Sequence, residues 1–478
     1  MASSPGVASY FFDLFETNRY TLYLVLFLGA LPFLKLLRFP KIPPRAALCA
    51  LLALGFVLRL GWLFFSSHEP KMSYTNEGFQ EVDYINVHAV QLSQGIWFHG
   101  PDGTPIARRP IGYPLLLGLF YKLFGASVEV AYGLNLALQM LTIWLVYLIG
   151  KRAFGETAGL VAALLASIYP ISIYSVKMTT DENLFLPLWY AGIYLLVRDA
   201  SGQRVRWAFL WYGLLFGFAT MTRTHTVFMP VVVALAYWLS KRSWKRIAAA
   251  FFVTFFVMQL VNLPWVLRNY KVWKAFIPYT FSARAVYSAV NSTSTPEGGR
   301  LPQRGEPGFS EELEQATQAG DIAAMQRISN VLITRWIAEH PLEFLDLGAK
   351  RLILFVGWDR RGIWPIWYQF YDGAYDLARP LGQKARDALE EYAYVFYYIL
   401  FFLYFASWGL AVKRWGTLDR PSQIALWVLG ACFILYGLEH MIIYPDRKYR
   451  YPLEPLMMLV AAYLLDHLLF IFRWKKLR

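Results

Sequence analysis

The chain is 478 residues long, 57% hydrophobic and 18% aromatic, and its 46 lysines and arginines outnumber 32 aspartates and glutamates for a formal charge of +14. Soluble domains rarely carry so much apolar sequence, and many of its apolar runs exceed the ~18 residues that mark a spanning helix. The basic residues sit in short clusters between those runs, so they read as membrane orientation and contact with anionic lipid before they read as a nucleic-acid surface.

Residues 1–18 are polar and aromatic and lack the order of a cleavable leader, so none is expected. Candidate spans follow at 19–37, 45–65, 127–149, 156–175, 183–197, 207–222, 224–240, 247–267, 393–412, 423–444 and 453–472. They predict an all-α polytopic membrane protein: a bundle of about eleven transmembrane helices with interfacial helices and a small outer-face subdomain. Cys49 and Cys432 lie inside apolar runs and are expected to pack as small hydrophobes. Lys35, Arg38, Lys41 and Arg45 follow the first span, Lys151 and Arg152 the third, and Arg198, Arg204 and Arg206 the fifth. Lys241, Arg242, Lys245 and Arg246 follow the seventh, Lys413, Arg414 and Arg420 the ninth, and Arg473, Lys475, Lys476 and Arg478 end the chain. Every second connection is basic, as expected if those connections are cytoplasmic.

That topology puts Ser66–Lys122, the tips at Lys177–Glu182 and Arg223–His225, residues 268–392 and Tyr444–Pro452 on the outer face. The run Tyr113–Phe124 is too short to span and reads as a re-entrant or interfacial helix; 347–357 reads as lying on the membrane surface. Within 268–392, Ser288–Pro307 is rich in Ser, Thr, Pro and Gly and predicts a mobile loop. A helix is expected next, with Ser310 as N-cap and Glu311, Glu312 and Glu314 at its positive end. Trp358, Trp364, Trp367 and Tyr368 suggest headgroup depth. The modules are 1–267 with a catalytic outer loop at 66–126, the subdomain 268–392, and the C-terminal helices 393–478.

The outer face carries charges that break the positive-inside pattern: Arg108 and Arg109, Arg223, Arg268 with Lys271 and Lys274, and Arg447-Lys448-Tyr449-Arg450. Arginine at headgroup depth suits a phosphate, which it can grip bidentately; the plainer reading of each alone is snorkelling or ion pairing. Acids gather on the same side: Glu77, Glu81 and Asp83, then Asp181 and Glu182. A carboxylate beside a cleft can act as general base on an acceptor hydroxyl, whereas exposed acids merely solubilise a loop and Asp181-Glu182 could simply favour a helix N-terminus. His68, His88, His99 and His225 lack metal-ligand spacing and read first as hydrogen-bonded structural residues. Asn291-Ser292-Thr293 fits a glycosylation sequon, and no Walker loop, nucleophile elbow or dinucleotide fingerprint occurs in a suitable context.

These features resemble the GT-C superfamily of polyprenyl-phosphate-sugar glycosyltransferases, of the protein-mannosyltransferase and aminoarabinose-transferase type. The resemblance rests on the acidic outer loop, Ala89-x-x-Leu92-x-x-Gly95, Arg109-Pro110-Ile-Gly-Tyr113-Pro114, Glu182-x-Leu-Phe, Thr222-Arg223, Pro264-Trp265-Val-Leu-Arg268-Asn269-Tyr270 and Arg447-x-Tyr449-Arg450-Tyr-Pro452. It implies a membrane enzyme that moves a sugar from a polyprenyl-phosphate (undecaprenyl-phosphate) donor to a glycan, lipid or protein acceptor. It implies inversion, and an active site on the outer face of a bacterial inner membrane. It implies a catalytic acid in the first outer loop; register places it at Glu81, where the family usually has Asp, while residue type favours Asp83, and both stay open. Ile85 stands at the family's usual tyrosine position, with Asp83-Tyr84 two residues out of register, and the span at 19–37 is an addition. Glu182 would be the second acid, and Arg109, Arg223, Arg268, Arg447 and Arg450 the donor-phosphate ligands. Glu77, Tyr84, His88, Tyr113, Asp181, Lys271 and Tyr449 are further site candidates. Whether a divalent metal, Mg or Mn, takes part is open. The competing reading is a transporter or flippase of a lipid-linked anion; against it, no internal repeat is visible and the charges gather at one face instead of the midplane.

Overall fold

In a computed structural model of the chain, the described residues are 42–66, 84–99, 110–280, 283–357, 379–445 and 447–474, with residues 7, 103 and 105 and two strands at 367–370 and 373–376. The helices in chain order are α1 (Pro44–Phe65), α2 (Tyr84–Ser93), α3 (Gly112–Phe124), α4 (Val128–Phe154), α5 (Glu156–Ser167) and α6 (Pro170–Ser175). Then come α7 (Glu182–Ala200), α8 (Ala208–Thr222), α9 (Met229–Leu239), α10 (Trp244–Trp273), α11 (Ala283–Ala289) and α12 (Glu311–Gln318). The series closes with α13 (Ile322–Glu339), α14 (Pro341–Gly357), α15 (Gly382–Lys413), α16 (Arg420–Leu438), α17 (Arg447–Arg450) and α18 (Glu454–Trp474). Besides these and short 3-10 turns, the described residues form one antiparallel hairpin, β1 (Trp367–Phe370) with β2 (Gly373–Asp376), Trp367 opposite Asp376.

The helical membrane architecture follows the apolar pattern. Among the described residues, six helical segments are long and apolar enough to cross a bilayer: α1, α4, α10, α15, Arg420–Met441 and Tyr451–Leu469. The segments expected at 156–175, 207–222 and 224–240 form shorter helices, and 19–37 lies outside the described residues, so a count of eleven full-length spans is not established. At 1.5 Å per residue, helices such as α5, α8 and α9 reach only ~17–22 Å against a ~30 Å hydrocarbon layer. They pack into the largest apolar cluster with α4, α7, α15, α16 and α18, so their polar ends meet protein. The boundary drawn at 267 falls inside α10, where Pro264 is accommodated within the helix, and the one at 392 falls inside α15.

Among the intervening elements, Ser310 accepts from the Leu313 amide at 3.2 Å and so starts α12 as expected. The loop at 288–307 departs from the mobile segment predicted by its composition. Asn291 Nδ2 donates to the carbonyls of Tyr287 (2.6 Å) and Arg300 (2.9 Å), and Arg300 pairs with Glu306 at 2.6 Å. Side-chain bonds supply the order that its Ser, Thr and Gly content does not signal. Arg351 of α14 is buried and donates to Ile442 O (2.8 Å), Ala289 O (2.7 Å) and Thr295 O (3.1 Å), tying this region to the end of the Arg420–Met441 helix.

Candidate active site

The turn that carries Asp181-Glu182 stands on a ladder of buried polar side chains. Arg59, in the middle of apolar α1, is fully buried and donates Nε to Gln139 Oε1 at 2.8 Å. Its remaining nitrogens reach Gly55 O (3.0 Å), Ser167 O (3.0 Å), Ala166 O (3.2 Å) and Ser172 Oγ (2.7 Å), so a buried charge is surrounded by neutral acceptors. Gln139 Nε2 continues the ladder to Ser175 Oγ (3.2 Å) and Asn183 Oδ1 (3.0 Å). Asn135, also on α4, accepts from the Tyr113 hydroxyl and donates Nδ2 to Val176 O (3.0 Å) and Met178 O (2.9 Å). The turn before α7 is thereby pinned from below at both ends.

Glu182, the first residue of α7, forms an ion pair with Arg223, and its other oxygen accepts from the Thr180 hydroxyl. The carboxylate is 2% exposed and the guanidinium 12% exposed. Such charge-assisted bonds in a water-poor setting hold both groups in place. Arg223 terminates α8 in extended backbone, its guanidinium 5.4 Å from the centre of the Tyr449 ring. Its Nε is buried and makes no hydrogen bond among the described residues, a donor that calls for an acceptor. The motif around Tyr113 reaches this point because residue 112 is glycine: a Cβ there would lie 2.5 Å from Thr222 Cγ2 and 2.9 Å from the Met221 carbonyl carbon.

On the far side of Tyr449, His225 pairs with Glu439 and packs 4.4 Å from the Tyr436 ring and 5.8 Å from His440, centre to centre. The Tyr449 ring is 6.3 Å from His225, so two acid–base pairs flank one tyrosine. Arg450 faces another way. It is buried, bonded to Glu454 at 3.1 Å and to Phe355 O at 3.3 Å, and lies 3.6 Å from the centre of the Tyr397 ring, which makes it an internal ion pair.

Arg268, near the end of α10, lies between the Trp265 and Trp273 rings (4.8 and 4.9 Å) and donates to Phe98 O at 3.2 Å and Asn269 Oδ1 at 3.1 Å. The His88 ring of α2 packs, tilted, 4.8 Å from Phe98 and its Nδ1 contacts Gln91 Oε1 at 2.8 Å. Burial pushes its imidazole down to about 4, the nearby Arg268 cation adding to the effect. Trp265, Tyr113 and Phe98 share one apolar cluster, against which Leu184 and Met221 pack. Arg268 and the Glu182–Arg223 pair therefore flank the same cluster.

Of the remaining sequence candidates, Glu77, Glu81, Asp83 and Arg109 lie outside the described residues, as does Arg108. Tyr84 opens α2 and Arg447 opens α17, with their side chains outside the description. Asp181 occupies the N-cap position of α7 without a side-chain capping bond. Lys271 is exposed at the end of α10 and is not joined to the pair. Among the described residues no group of three His, Cys, Asp or Glu is placed to hold a metal ion. Cys49 is exposed, Cys432 is buried, and neither is in a disulfide.

Three participants were missed. Glu439 could have been flagged as an acid within the predicted 423–444 span, and Arg59 as a cation within 45–65. Lys177 is buried and donates to Leu63 O (2.9 Å) and Ser66 O (2.6 Å), capping α1 where the chain leaves for the acidic stretch. Its burial pushes the amine down to about 8. No local pattern marks this contact, since the partners are more than a hundred residues apart in sequence.

Residues 108–266, about a third of the chain, match the family model described as dolichyl-phosphate-mannose-protein mannosyltransferase. An undecaprenyl phosphate-alpha-4-amino-4-deoxy-L-arabinose arabinosyl transferase of Pseudomonas paraeruginosa (strain DSM 24068 / PA7) is 28% identical over 215 residues, covering 41% of this chain and 38% of the relative. Its counterpart in Pseudomonas aeruginosa (strain UCBPP-PA14) is 27% identical over the same shares. The matched region thus spans well under half the length of the curated relatives. The fold is similar to that of the archaeal oligosaccharyltransferase AglB from Archaeoglobus fulgidus in complex with an inhibitory peptide and a dolichol-phosphate. That likeness has a TM-score of 0.51 at 14% identity, covering 88% of this chain and 50% of that one.

Proposed function

We propose that this chain is an enzyme of the GT-C type and transfers a sugar from a polyprenyl-phosphate donor to an acceptor at the outer face of the membrane, a reading supported by the family match over residues 108–266, the arabinosyl transferase relatives and the likeness of fold. The observation that carries the reading is the buried Glu182–Arg223 pair beside Tyr449, with a buried Arg223 Nε–H unused among the described residues. Lys177 secures the end of α1 close to this turn, so Ser66, from which the sequence continues into the acidic stretch, lies at the end of the bundle where the pair sits.

The chemistry needs two things: removal of a proton from the acceptor, and stabilisation of charge on the departing phosphate. Glu81 or Asp83 supplies the base. Arg268, backed by two indole faces, and Arg109 are the donor-phosphate ligands, while Arg223 adds one N–H and holds Glu182 in register. Arg450 is withdrawn from that set by Glu454 and acts by fixing α17 to α18. A single displacement by the acceptor inverts the anomeric centre, and the lipid tail lies along the bundle in the bilayer.

The test uses the purified full chain, a panel of polyprenyl-phosphate sugars and labelled acceptor extracts. Transfer of label with release of polyprenyl phosphate is expected for at least one donor. Loss of that transfer in the double variant Glu81→Gln, Asp83→Asn, with Tm preserved, is expected too. Full turnover in the double variant would remove the acidic loop from the chemistry.

A further inference from the structure

Four helix ends meet at the end of the bundle opposite Glu182. The 19 residues of α7 run from Glu182 to Ala200; at 1.5 Å each they span ~28 Å, so this corner is remote from the candidate active site. Arg152 of α4 donates to Ser201 O at 3.1 Å, and Ser240, the C-cap of α9, donates to Ala200 O at 2.9 Å. Arg420 and Ser422 of α16 donate to Leu239 O (2.8 Å) and Ala153 O (2.7 Å). In these same turns Nε of Arg152, Arg198 and Arg242 and the Ser201 hydroxyl are buried and make no hydrogen bond among the described residues. A concentration of such atoms calls for an acceptor that the chain does not supply.

Helix capping does not account for Arg198 and Arg242. Both α7 and α9 close through a left-handed residue, Gly202 (φ 96°) and Lys241 (φ 52°). The amides that follow reach the last-turn carbonyls: Gln203 N donates to Arg198 O and Arg242 N to Tyr237 O, each at 3.1 Å. The acids of these turns are engaged elsewhere. Asp199 accepts from the Tyr237 hydroxyl and the Val205 amide (2.9 Å), and Asp419 starts α16 by accepting from Ser422 N at 3.0 Å. None of Arg152, Arg198 and Arg242 forms an ion pair among the described residues. Water would accept the N–H bonds but carries no charge, whereas an anion satisfies the bonds and balances the guanidinium groups together.

We propose that this corner binds the phosphate of an anionic phospholipid, with Arg152 and Arg242 as its main ligands. The surroundings favour a lipid as the source of the phosphate. Trp207, Trp238 and Trp244, on the same two connections as Ser201 and Arg242, are exposed, and indoles so placed sit at headgroup depth. They also favour an anionic lipid over a zwitterionic one: with Asp199 and Asp419 engaged, neither acid of these turns is open to an ammonium group. The proposal goes beyond a general attraction of basic loops to anionic lipid, because it separates the half-buried Arg152 and Arg242 from the exposed Arg204 and Lys245 on the same end of the bundle. The site is separate from the proposed transfer chemistry and does not depend on it.

The test is lipid retention by the full-length protein, extracted in mild detergent and read by native mass spectrometry. Phosphatidylglycerol should be retained ~5-fold over phosphatidylethanolamine, the scale of one basic residue at a lipid surface. The double variant Arg152→Gln, Arg242→Gln should erase that preference. The control Arg204→Gln, Lys245→Gln removes the same charge from exposed positions and should keep it. Equal retention of the two lipids by the parent, or a preference that survives in the arginine double variant, overturns the proposal. An equal loss in the control would reduce the effect to diffuse attraction and overturn the site. Displacement of phosphatidylglycerol by inorganic phosphate would make this a free-anion site and overturn the lipid assignment. If the arginine double variant does not fold, Arg242→Gln alone decides the matter, since its side chain makes no hydrogen bond among the described residues.

Discussion

Two buried arginines, Arg59 and Arg223, do opposite work a short distance apart along the same bundle. Arg59 has five acceptors, all neutral, and they come from α1, α4, and the ends of α5 and α6. Arg223 has one strong partner, a carboxylate, and a nitrogen left over. A charge shared among backbone carbonyls fixes chain segments relative to one another; a charge balanced by one acid can be redistributed when an anion arrives. The same residue type is scaffold in the first case and candidate chemistry in the second, and the partners decide which.

The largest effect expected from breaking this contrast is in stability. Arg59→Met strands several buried acceptors at ~1–3 kcal/mol each, so a fall of at least ~3 kcal/mol is expected, read as Tm of the detergent-solubilised protein. An unaltered Tm would mean that the ladder does not hold the turn. Glu182→Gln keeps the shape of its site and removes the charge. Transfer should drop ~10²–10³-fold, the scale of losing one preorganised electrostatic contact, with a much smaller Tm loss than Arg59→Met. If the variant instead unfolds as readily as Arg59→Met and keeps its turnover per folded molecule, the two arginines play the same role.

Gly112→Ala sharpens the comparison at the join between α3 and α8. The added methyl meets Thr222 and the backbone of Met221, costing ~1–3 kcal/mol; Thr222→Ser should recover only part, because the backbone contact remains. The smallest effect is a pH dependence. Lys177 has a folded-state value of about 8 against an ordinary 10.5, so between those values the unfolded chain binds the proton more tightly. Stability should therefore rise as pH increases from about 8 toward 10.5 and level off outside that window. Lys177→Met should flatten that part of the Tm profile, while a slope identical to the parent's would show that the amine is not what titrates.

Much of the scaffold was legible because apolar runs and basic connections are local properties. The spans at 45–65, 127–149 and 247–267 correspond to α1, α4 and α10, and Ser310 announced α12. Helix lengths inside the bundle were less legible, since burial by neighbouring helices lets α5, α8 and α9 be shorter than a bilayer-facing helix. Glu182 and Arg223 were both named from their motifs, but their pairing spans 41 positions in the chain, and no periodicity encodes it. Lys177 was missed for the same reason, since its partners come from a distant segment, whereas Glu439 and Arg59 were open to notice as charges inside predicted spans. Arg450 shows the reverse case, a motif arginine whose acid lies four residues on, within reach of a helical-spacing argument.

The most direct measurement follows labelled sugar and polyprenyl phosphate together, in the same reaction, for the parent chain and for Glu182→Gln. Label should appear in the acceptor and match the release of polyprenyl phosphate from the parent, with both signals reduced together in the variant. Intact donor moved across vesicles containing the parent chain, with no label in any acceptor and no phosphate released, would contradict it and make the protein a carrier of its lipid-linked substrate.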